Sequence, residues 1–263
     1  MVKMWLKRVV NGVLARAGLR LLDLSAGIGF DTRHGVELLP VFARALAQEH
    51  NRRLRLIQIG ANDGVNNDPV RALIEDGLVE AVLVEPIPAL CADLRARHSG
   101  RDDVRVVEAA VVAEPSVLRL HILMAPDGRM LESSVSSLDR GFVERQLAEA
   151  RRADASTFAE AHIEAIDVRC LTVSELLAET GCSEIDIVAI DVEGMDVHLV
   201  NALLDCALTP RLLQFEAAHV PRRAFGALAG RLEAAGYRLA RSGLDILAVR
   251  ESAAWPSALA AAE

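Results

Sequence analysis

The stretch "IQIGANDG" places polar side chains directly after an apolar run. Gly60 ends the run and lets the chain turn sharply, while Gly64 lets a ligand approach the backbone closely. Asn62 and Asp63 offer polar atoms between these glycines. Glu85 ends the next apolar run, about 20 residues further on, where a carboxylate can accept hydrogen bonds from two ribose hydroxyls. The spacing therefore predicts a nucleoside-binding site.

The composition of this glycine loop narrows the class of nucleoside ligand. A dinucleotide site has the spacing G-x-G-x-x-G, with backbone amides aimed at a pyrophosphate. The sequence G-A-N-D-G lacks the middle glycine, and Asp63 would repel a pyrophosphate. The acid suits a ligand with a positive centre and an amino group, such as S-adenosylmethionine. The alternative is a plain tight turn between a strand and a helix.

A second stretch, "IDIVAIDVEGMD", delivers Asp191 and Glu193 at the end of another apolar run, and Gly194 then opens the following segment. The next run ends in Glu216, and His219 follows it. The carboxyl ends of parallel strands meet at one edge of a sheet, so these side chains are expected to face the same crevice. The alternative is that Asp191 caps a helix and Glu193 is solvated.

Strand-like apolar runs alternate with helix-like segments along the chain. This alternation predicts an α/β fold in which helices cover both faces of a parallel sheet. Helix-like segments separate most of the apolar runs, and "TVSE" has the form of a capping box. The last 15 residues before Glu251 show two strands around a Ser242-Gly243 turn, which predicts an antiparallel hairpin. The predicted strands are 54–60, 80–86, 104–112, 185–191 and 211–217, and the predicted helices are 69–77, 87–98, 172–180, 195–205 and 221–235.

The domain organisation follows from the places where this alternation fails. Residues 1–50 are expected to form an N-terminal helical cap, residues 51–252 the main domain and residues 253–263 a frayed tail. An insertion over about 123–165 interrupts the main domain, and insertions of this kind usually lie over the ligand crevice. Its serine-rich part either offers hydroxyls to a polar acceptor or forms a flexible loop.

Composition excludes several classes of function. A net charge of -8 and 3% aromatic residues argue against a nucleic-acid partner, which requires a basic footprint or stacking platforms. Four cysteines without a CxxC pair are interpreted as reduced thiols of a cytoplasmic protein, in preference to a zinc site. No run reaches the roughly 18 apolar residues of a membrane span.

The first 20 residues carry five basic side chains and no acid. At helical spacing they combine an apolar stripe with a basic one. Two interpretations are open: a helix that packs on the body or on a partner subunit, which leaves homo-oligomerisation open, or peripheral contact with an anionic membrane. Charged residues interrupt the apolar run, so a signal peptide is not expected.

Taken together, the quoted stretches resemble the FkbM family of S-adenosylmethionine-dependent methyltransferases over roughly residues 54–220. The resemblance implies a Rossmann-like class I methyltransferase fold, whose seven-stranded, mostly parallel sheet ends in an antiparallel C-terminal hairpin strand. The matching pieces, in the order of the family, are "IQIGANDG", "VLVEPIP", "VVEAAVV", "LESSVSSL", "DVRCLTVSELL", "IDIVAIDVEGMD" and "LLQFEAAHV".

The same resemblance implies positions for the cofactor S-adenosylmethionine. One departure from the family pattern is Gln58, which stands where many methyltransferases carry an acid that orients the methionine end. Asp63 or Asp191 is then expected to take over that task. The implied contacts are Gly60, Ala61, Asn62, Asp63 and Gly64 to the methionine part, Glu85 to the ribose, Ala109 and Ala110 to the adenine, and Asp191 and Glu193 beside the methyl group.

The function that we expect is O-methyl transfer to a hydroxyl of a sugar, a glycan or glycolipid, or a secondary metabolite. Asp191 and His219, with Glu216 next, are the candidates for the general base. The alternative for His219 is a surface histidine. A divalent metal held by Asp191, Glu216 and His219 is a further alternative, although we assign no metal ligand. An NAD-dependent oxidoreductase and a non-catalytic binding or scaffold protein are the other functions considered.

Overall fold

The structure of the chain is a computed structural model. Several sequence-based expectations lie outside the residues that it describes: those for residues 1–18, for Glu193, for His219 and for the tail after Arg250. The described residues are 19–24, 27–32, 37–66, 68–115, 119–128, 130–182, 184–192, 194–217 and 220–250.

The described residues form strands and helices that alternate over most of the chain. The strands are β1 (Leu19–Leu24), β2 (Gly27–Thr32), β3 (Leu54–Ile59), β4 (Val79–Glu85), β5 (Val104–Glu108), β6 (Ala110–Val112), β7 (Arg119–Met124), β8 (Met130–Ser137), β9 (His162–Asp167), β10 (Cys170–Thr172), β11 (Ile187–Ile190), β12 (Leu212–Glu216), β13 (Tyr237–Ser242) and β14 (Asp245–Arg250). The helices are α1 (Leu38–His50), α2 (Arg71–Glu75), α3 (Pro88–Arg97), α4 (Arg140–Ala153), α5 (Ala155–Phe158), α6 (Val173–Thr180), α7 (Asp196–Asp205) and α8 (Arg222–Ala234).

The main sheet has the order β1-β2-β13-β14-β12-β11-β3-β4-β5. Seven of its strands, from β13 to β5, form the predicted sheet, in which β14 runs antiparallel to both β12 and β13. The other pairings within these seven strands are parallel. The predicted seven-stranded, mostly parallel sheet with an antiparallel C-terminal strand is therefore confirmed.

The N-terminal segment differs from the helical cap expected over residues 1–50. Strands β1 and β2 form an antiparallel hairpin, and β2 meets β13 in parallel at the pair Asp31 and Arg241. Among the described residues of this segment, helix α1 alone is helical. The hairpin covers the edge of β13, whose backbone groups would otherwise lack strand partners, and this pairing explains the extended conformation.

Both faces of the sheet are covered by apolar helix faces. Helix α1 packs Leu39 and Leu46 on one face, together with Leu73 of α2, against residues of β3, β11 and β12. On the opposite face, helices α6, α7 and α8 bury leucines against β11, β12 and β13. The layers make a rigid platform, so the side chains at the carboxyl edge of the sheet are held by packed strands.

The insertion forms a separate small sheet with the order β8-β7-β9, and α4 packs against it. One expected strand, residues 104–112, is divided. The chain leaves the main sheet after β5, and β6 pairs in parallel with β10 in a sheet of two strands. Helix α6 begins with the predicted capping box, in which Thr172 and Glu175 satisfy each other's backbone amides.

Candidate functional site

A cavity of about 590 Å³ opens at the carboxyl edge of the parallel strands, which is where open α/β sheets bind ligands. Its size lies in the range of small-molecule sites. It extends along the edge from β5 and β6, past β4, β3 and β11, to β12 and β14. Its lining includes Gln58, Gly60, Ala61, Asn62, Asp63, Asp68, Glu85, Ala109, Ala110, Ser136, Ser137, Asp191, Gln214, Glu216, Leu244 and Asp245.

The sharp turn after β3 requires glycine at position 60. Its φ angle is +85°, and a Cβ atom there would lie 1.8 Å from the carbonyl oxygen of Asp191. The two strands approach this closely because the Asp191 amide donates to the carbonyl of Ile59 at 2.9 Å. The glycine thus brings the loop and the end of β11 to the same wall of the cavity.

Gly64 has a packing contact that the sequence did not predict. It is outside the cavity lining, unlike the four preceding residues. A Cβ atom at this position would lie 2.8 Å from Leu94 Cδ2, and the φ angle is +66°. Gly64 therefore permits close packing of the loop on α3, and its contact with a ligand stays a prediction.

Glu85 is a buried acid of the site, with 4% of its surface exposed. The amide of Asn62 donates to its Oε2 at 2.9 Å, and the amide of Ile87 donates to its Oε1 at 3.0 Å. Burial raises the pKa of Glu85 to about 7, although these two amides oppose the shift. Each carboxylate oxygen retains a further lone pair, so the group can accept two more hydrogen bonds from a ligand.

Asp63 serves the loop itself. Its Oδ1 accepts hydrogen bonds from the amides of Val65 at 2.8 Å and Asn66 at 3.0 Å, and its Oδ2 accepts one from Asn66 Nδ2 at 2.6 Å. Burial opposes ionisation of Asp63, but these donors lower its pKa on balance. Asn62, at φ +49°, lines the cavity, and its Oδ1 is buried without a hydrogen-bond partner in the described part of the chain.

The end of the cavity opposite Ala109 and Ala110 is acidic. Asp191 at the end of β11 and Glu216 at the end of β12 both face it. Asp245 joins them because β14 runs antiparallel to β12, which places Asp245 directly opposite Glu216. Asp196 of α7 lies next to Glu216, and its Oδ1 accepts a hydrogen bond from the Glu216 amide at 3.4 Å.

The pKa values of three of these carboxylates are raised. Asp191 is exposed to the cavity, but the surrounding protein still limits its hydration. This desolvation raises the pKa of Asp191 to about 6, and the charge of Glu216 raises it further. Burial raises the pKa values of Asp196 and Asp245 to about 7, and neighbouring carboxylates contribute to both. Groups that change charge near neutral pH are suited to proton transfer.

Most of the predicted site residues are brought together. Gly60 to Asp63, Glu85, Ala109, Ala110, Asp191 and Glu216 all line the cavity. Glu193 and His219 lie outside the described residues. The described residues hold no group of three or more His, Cys, Asp or Glu side chains with metal-binding geometry. Asp68, Gln214 and Asp245 also line the cavity and were not predicted. Only Asp245 had a signal in the sequence, because it is the first residue of the predicted hairpin's return strand.

The insertion closes one side of the cavity. Ser136, Ser137 and Leu138, at the end of β8 and just after it, line the wall. Ser137 Oγ also accepts a hydrogen bond from the Asp139 amide at 3.1 Å, which fixes the start of α4. The serine-rich stretch thus places hydroxyl groups at the site, as one of its two interpretations expected.

Comparison with known proteins gives a family match. The sequence model of the methyltransferase FkbM domain matches residues 58–239, about two thirds of the chain. The matched region contains the glycine loop, Glu85, Asp191 and Glu216, and it favours methyl transfer over the NAD-dependent alternative. A search of the curated proteins gives no match.

Solved structures with a similar chain path are distant in sequence. Fibrillarin of Aeropyrum pernix, with natively bound S-adenosylmethionine, is 12% identical over 75% of this chain and 67% of that chain, with a TM-score of 0.38. Precorrin-6y C5,15-methyltransferase of Geobacter metallireducens is 14% identical over 84% and 93%, with a TM-score of 0.39. The N-terminal domain of human METTL16, bound to S-adenosylhomocysteine, is 10% identical over 94% and 82%, with a TM-score of 0.39.

Proposed function

Since this chain belongs to the FkbM family of S-adenosylmethionine-dependent methyltransferases, we propose that it transfers the methyl group to a hydroxyl oxygen of a sugar, a glycan or glycolipid, or a secondary metabolite. The observation that supports this proposal is the acidic end of the cavity, where Asp191, whose pKa burial raises to about 6, lies beside Glu216. A hydroxyl acceptor must lose its proton as the methyl group arrives, and a carboxylate in this position can receive it.

The residues of the cavity fit the cofactor. Alanines 109 and 110 give a flat apolar surface for a purine, and Glu85 on the neighbouring strand has two oxygens available for a pair of ribose hydroxyls. The next strand, β3, ends in the glycine loop, where the buried Asn62 Oδ1 has no partner among the described residues and could accept from a donor of the ligand. The strand order β5, β4, β3 supports a cofactor that lies along one edge, with its adenine, ribose and amino-acid part in that order.

When bound, S-adenosylmethionine supplies an electrophilic methyl group on a sulfonium centre. The chain must then hold an acceptor oxygen in line with that group and remove its proton. Asp191 is our first candidate for this base because it lines the cavity between the glycine loop and Glu216 and has a pKa of about 6. Glu216 is the second candidate among the described residues, and His219 remains a candidate from the sequence.

The polar lining supports a hydroxylated acceptor. Gln214 Nε2 donates to Asp245 Oδ2 at 3.0 Å, so this pair is held rigidly at the far end of the cavity. The hydroxyl groups of Ser136 and Ser137 line the opposite wall. Donors and acceptors on both sides suit a sugar, whose hydroxyls both donate and accept. Leu244, 60% exposed at the mouth, offers an apolar contact to the rest of such a molecule.

The test is methyl transfer from isotopically labelled S-adenosylmethionine to a panel of sugars, sugar nucleotides and macrolide-type alcohols. Products are analysed by mass spectrometry and NMR to identify the methylated atom. We expect an O-methyl product whose formation falls by about 10²–10⁴-fold in Asp191→Asn, the range for loss of a general base. Transfer only to nitrogen or carboxylate acceptors would overturn the choice of a hydroxyl. Cofactor binding without transfer to any acceptor would favour the non-catalytic alternative.

We also propose that the protein works in the cytoplasm at or near a membrane surface. The basic residues 1–20, which contain no acid, support contact with anionic lipid. Among the described residues, no helix has the length and apolarity needed to cross a bilayer. Sedimentation with vesicles containing phosphatidylserine tests this proposal. Equal binding by the whole chain and by a chain without residues 1–18 would contradict it.

A further inference from the structure

Gln58, the second-last residue of β3, is a buried polar side chain with an unused acceptor. It is 4% exposed. Its Nε2 donates to Asp68 Oδ1 at 3.1 Å, while its Oε1 has no hydrogen-bond partner among the described residues. Buried amide oxygens in native proteins are rarely left unsatisfied, so an unpaired one that faces a cavity indicates a missing donor. Gln58 is one of the residues that line the cavity, so a ligand bound there is the nearest source of a donor for this buried oxygen.

Asp68 places a carboxylate beside this oxygen. It also lines the cavity, and its Oδ1 accepts from the Val70 amide at 2.9 Å in addition to the Gln58 amide group. Together the two side chains present only acceptor oxygens to the cavity, one of them on a charged group. The neighbouring Asp63 is engaged by Val65 and Asn66 within its own loop. The chemistry that matches the pair is a cationic donor.

Position along the sheet edge identifies which cation fits. Glu85 ends β4, and Gln58 lies near the end of the adjacent strand β3, in register with Leu83 of β4 and Ala189 of β11. A ligand that runs from Ala109 past Glu85 therefore reaches Gln58 with the part that follows its ribose. In S-adenosylmethionine this part is the amino-acid tail, whose ammonium group has three donors and no acceptor.

We propose that Gln58 Oε1 and the Asp68 carboxylate bind the α-ammonium group of the cofactor's methionine moiety. This inference rests on the proposed cofactor and assigns to Asp68 the task that the sequence analysis gave to Asp63 or Asp191. Asp68 is a binding residue in this account, and Gln58 holds its carboxylate in place while accepting from the same ammonium group.

The test compares two ligands that differ in the amino-acid tail. S-adenosylhomocysteine carries it, and 5′-methylthioadenosine lacks it but keeps the adenosine and the sulfur. Both are titrated by calorimetry into the wild type, Asp68→Asn and the exchange variant Gln58→Glu/Asp68→Asn, which keeps a carboxylate and an amide in contact. Asp76→Asn is the matched control, because Asp76 is an exposed residue after α2 that pairs with Arg44. Thermal unfolding checks that each variant folds.

We expect Asp68→Asn to weaken S-adenosylhomocysteine binding by about tenfold to a hundredfold, the range for a hydrogen bond to a charged group, and to leave methylthioadenosine binding unchanged. The exchange variant should recover most of the loss, and the control should bind both ligands as the wild type does. The sign is informative: if Asp68 faced the tail's carboxylate instead, removing its charge would strengthen binding.

Two results would overturn the inference while leaving the cofactor in place: equal weakening of both ligands in Asp68→Asn, which would mean a structural role, or no change in either. Stronger binding of S-adenosylhomocysteine by the variant would also overturn it. If the wild type binds neither ligand, the proposed cofactor itself is wrong, and this outcome is distinct from the others.

Discussion

Glu85 provides a prediction that links burial to ligand affinity through pH. Its pKa of about 7 in the free protein means that the carboxyl is mostly protonated at pH 5.5 and mostly ionised at pH 7.5. Ribose hydroxyls donate to the ionised form, so binding of S-adenosylhomocysteine should lower this pKa and release about one proton at pH 6. If the pKa in the complex falls below 5.5, affinity should rise about 20-fold between pH 5.5 and 7.5.

Calorimetry in buffers of different ionisation enthalpy measures the affinity and the proton release together. Glu85→Gln removes the titrating group and should flatten most of the slope. At pH 7.5 it should also weaken binding by about tenfold or more, because a charged acceptor is lost. Any slope that remains reports the other acids with raised pKa values along the cavity, Asp68, Asp191 and Asp245. An unchanged slope in this variant, or a flat profile in the wild type, would refute the reasoning.

Four further predictions concern stability and rate. Because Glu85 has a raised pKa, the native state should bind more protons than the unfolded chain between pH 4.5 and 7. The contribution of Glu85 to the free energy of unfolding should therefore fall by about 3 kcal/mol as pH rises from 4.5 to 7. Denaturant unfolding of the wild type and of Glu85→Gln at both pH values measures this contribution. Gly60→Ala should lose at least about 2 kcal/mol more than Gly77→Ala, which shares a positive φ but meets nothing within 4 Å, and equal losses would exclude the clash with Asp191. Tyr237→Phe should cost about 1 kcal/mol in urea unfolding, since its hydroxyl donates to the Pro210 carbonyl at 2.7 Å, and no change would contradict that bond. The transfer rate should fall below about pH 6, where Asp191 becomes protonated, and a rate unaffected by pH from 5 to 8 would exclude Asp191 as the base.

The parts of the site that the sequence predicted are those carried by single strands. Gly60, Glu85, Asp191 and Glu216 each follow an apolar run directly, and parallel strands deliver such residues to one edge whatever their order. The alternation of strand-like and helix-like segments was sufficient to predict these four positions. Each prediction required only the end of one strand and the direction of the neighbouring strands.

The parts that it missed depend on contacts between distant segments. Asp245 reaches the cavity only because β14 inserts beside β12, which is a matter of strand order. Asp68 gains its place from a side-chain hydrogen bond to Gln58. The close packing of Leu94 against Gly64 likewise joins segments that are 30 residues apart.

The N-terminal segment shows a different limit. Short apolar runs such as "LRLLDL" fit a helix or a strand equally well by periodicity, and glycine-containing ones such as "GIGFDT" carry little preference. The open edge of β13 determines their extended conformation, and that edge exists only once the main sheet has formed. Tertiary pairing therefore overrides the local pattern here.

The most direct test of the account is an equilibrium titration of S-adenosylmethionine and of NAD into the same wild-type preparation. The glycine loop with its internal acid, the ribose acid Glu85 and the family match predict micromolar binding of S-adenosylmethionine and no measurable binding of NAD. Binding of NAD alone, or of neither ligand, would contradict the central claim that this cavity holds the methyl donor.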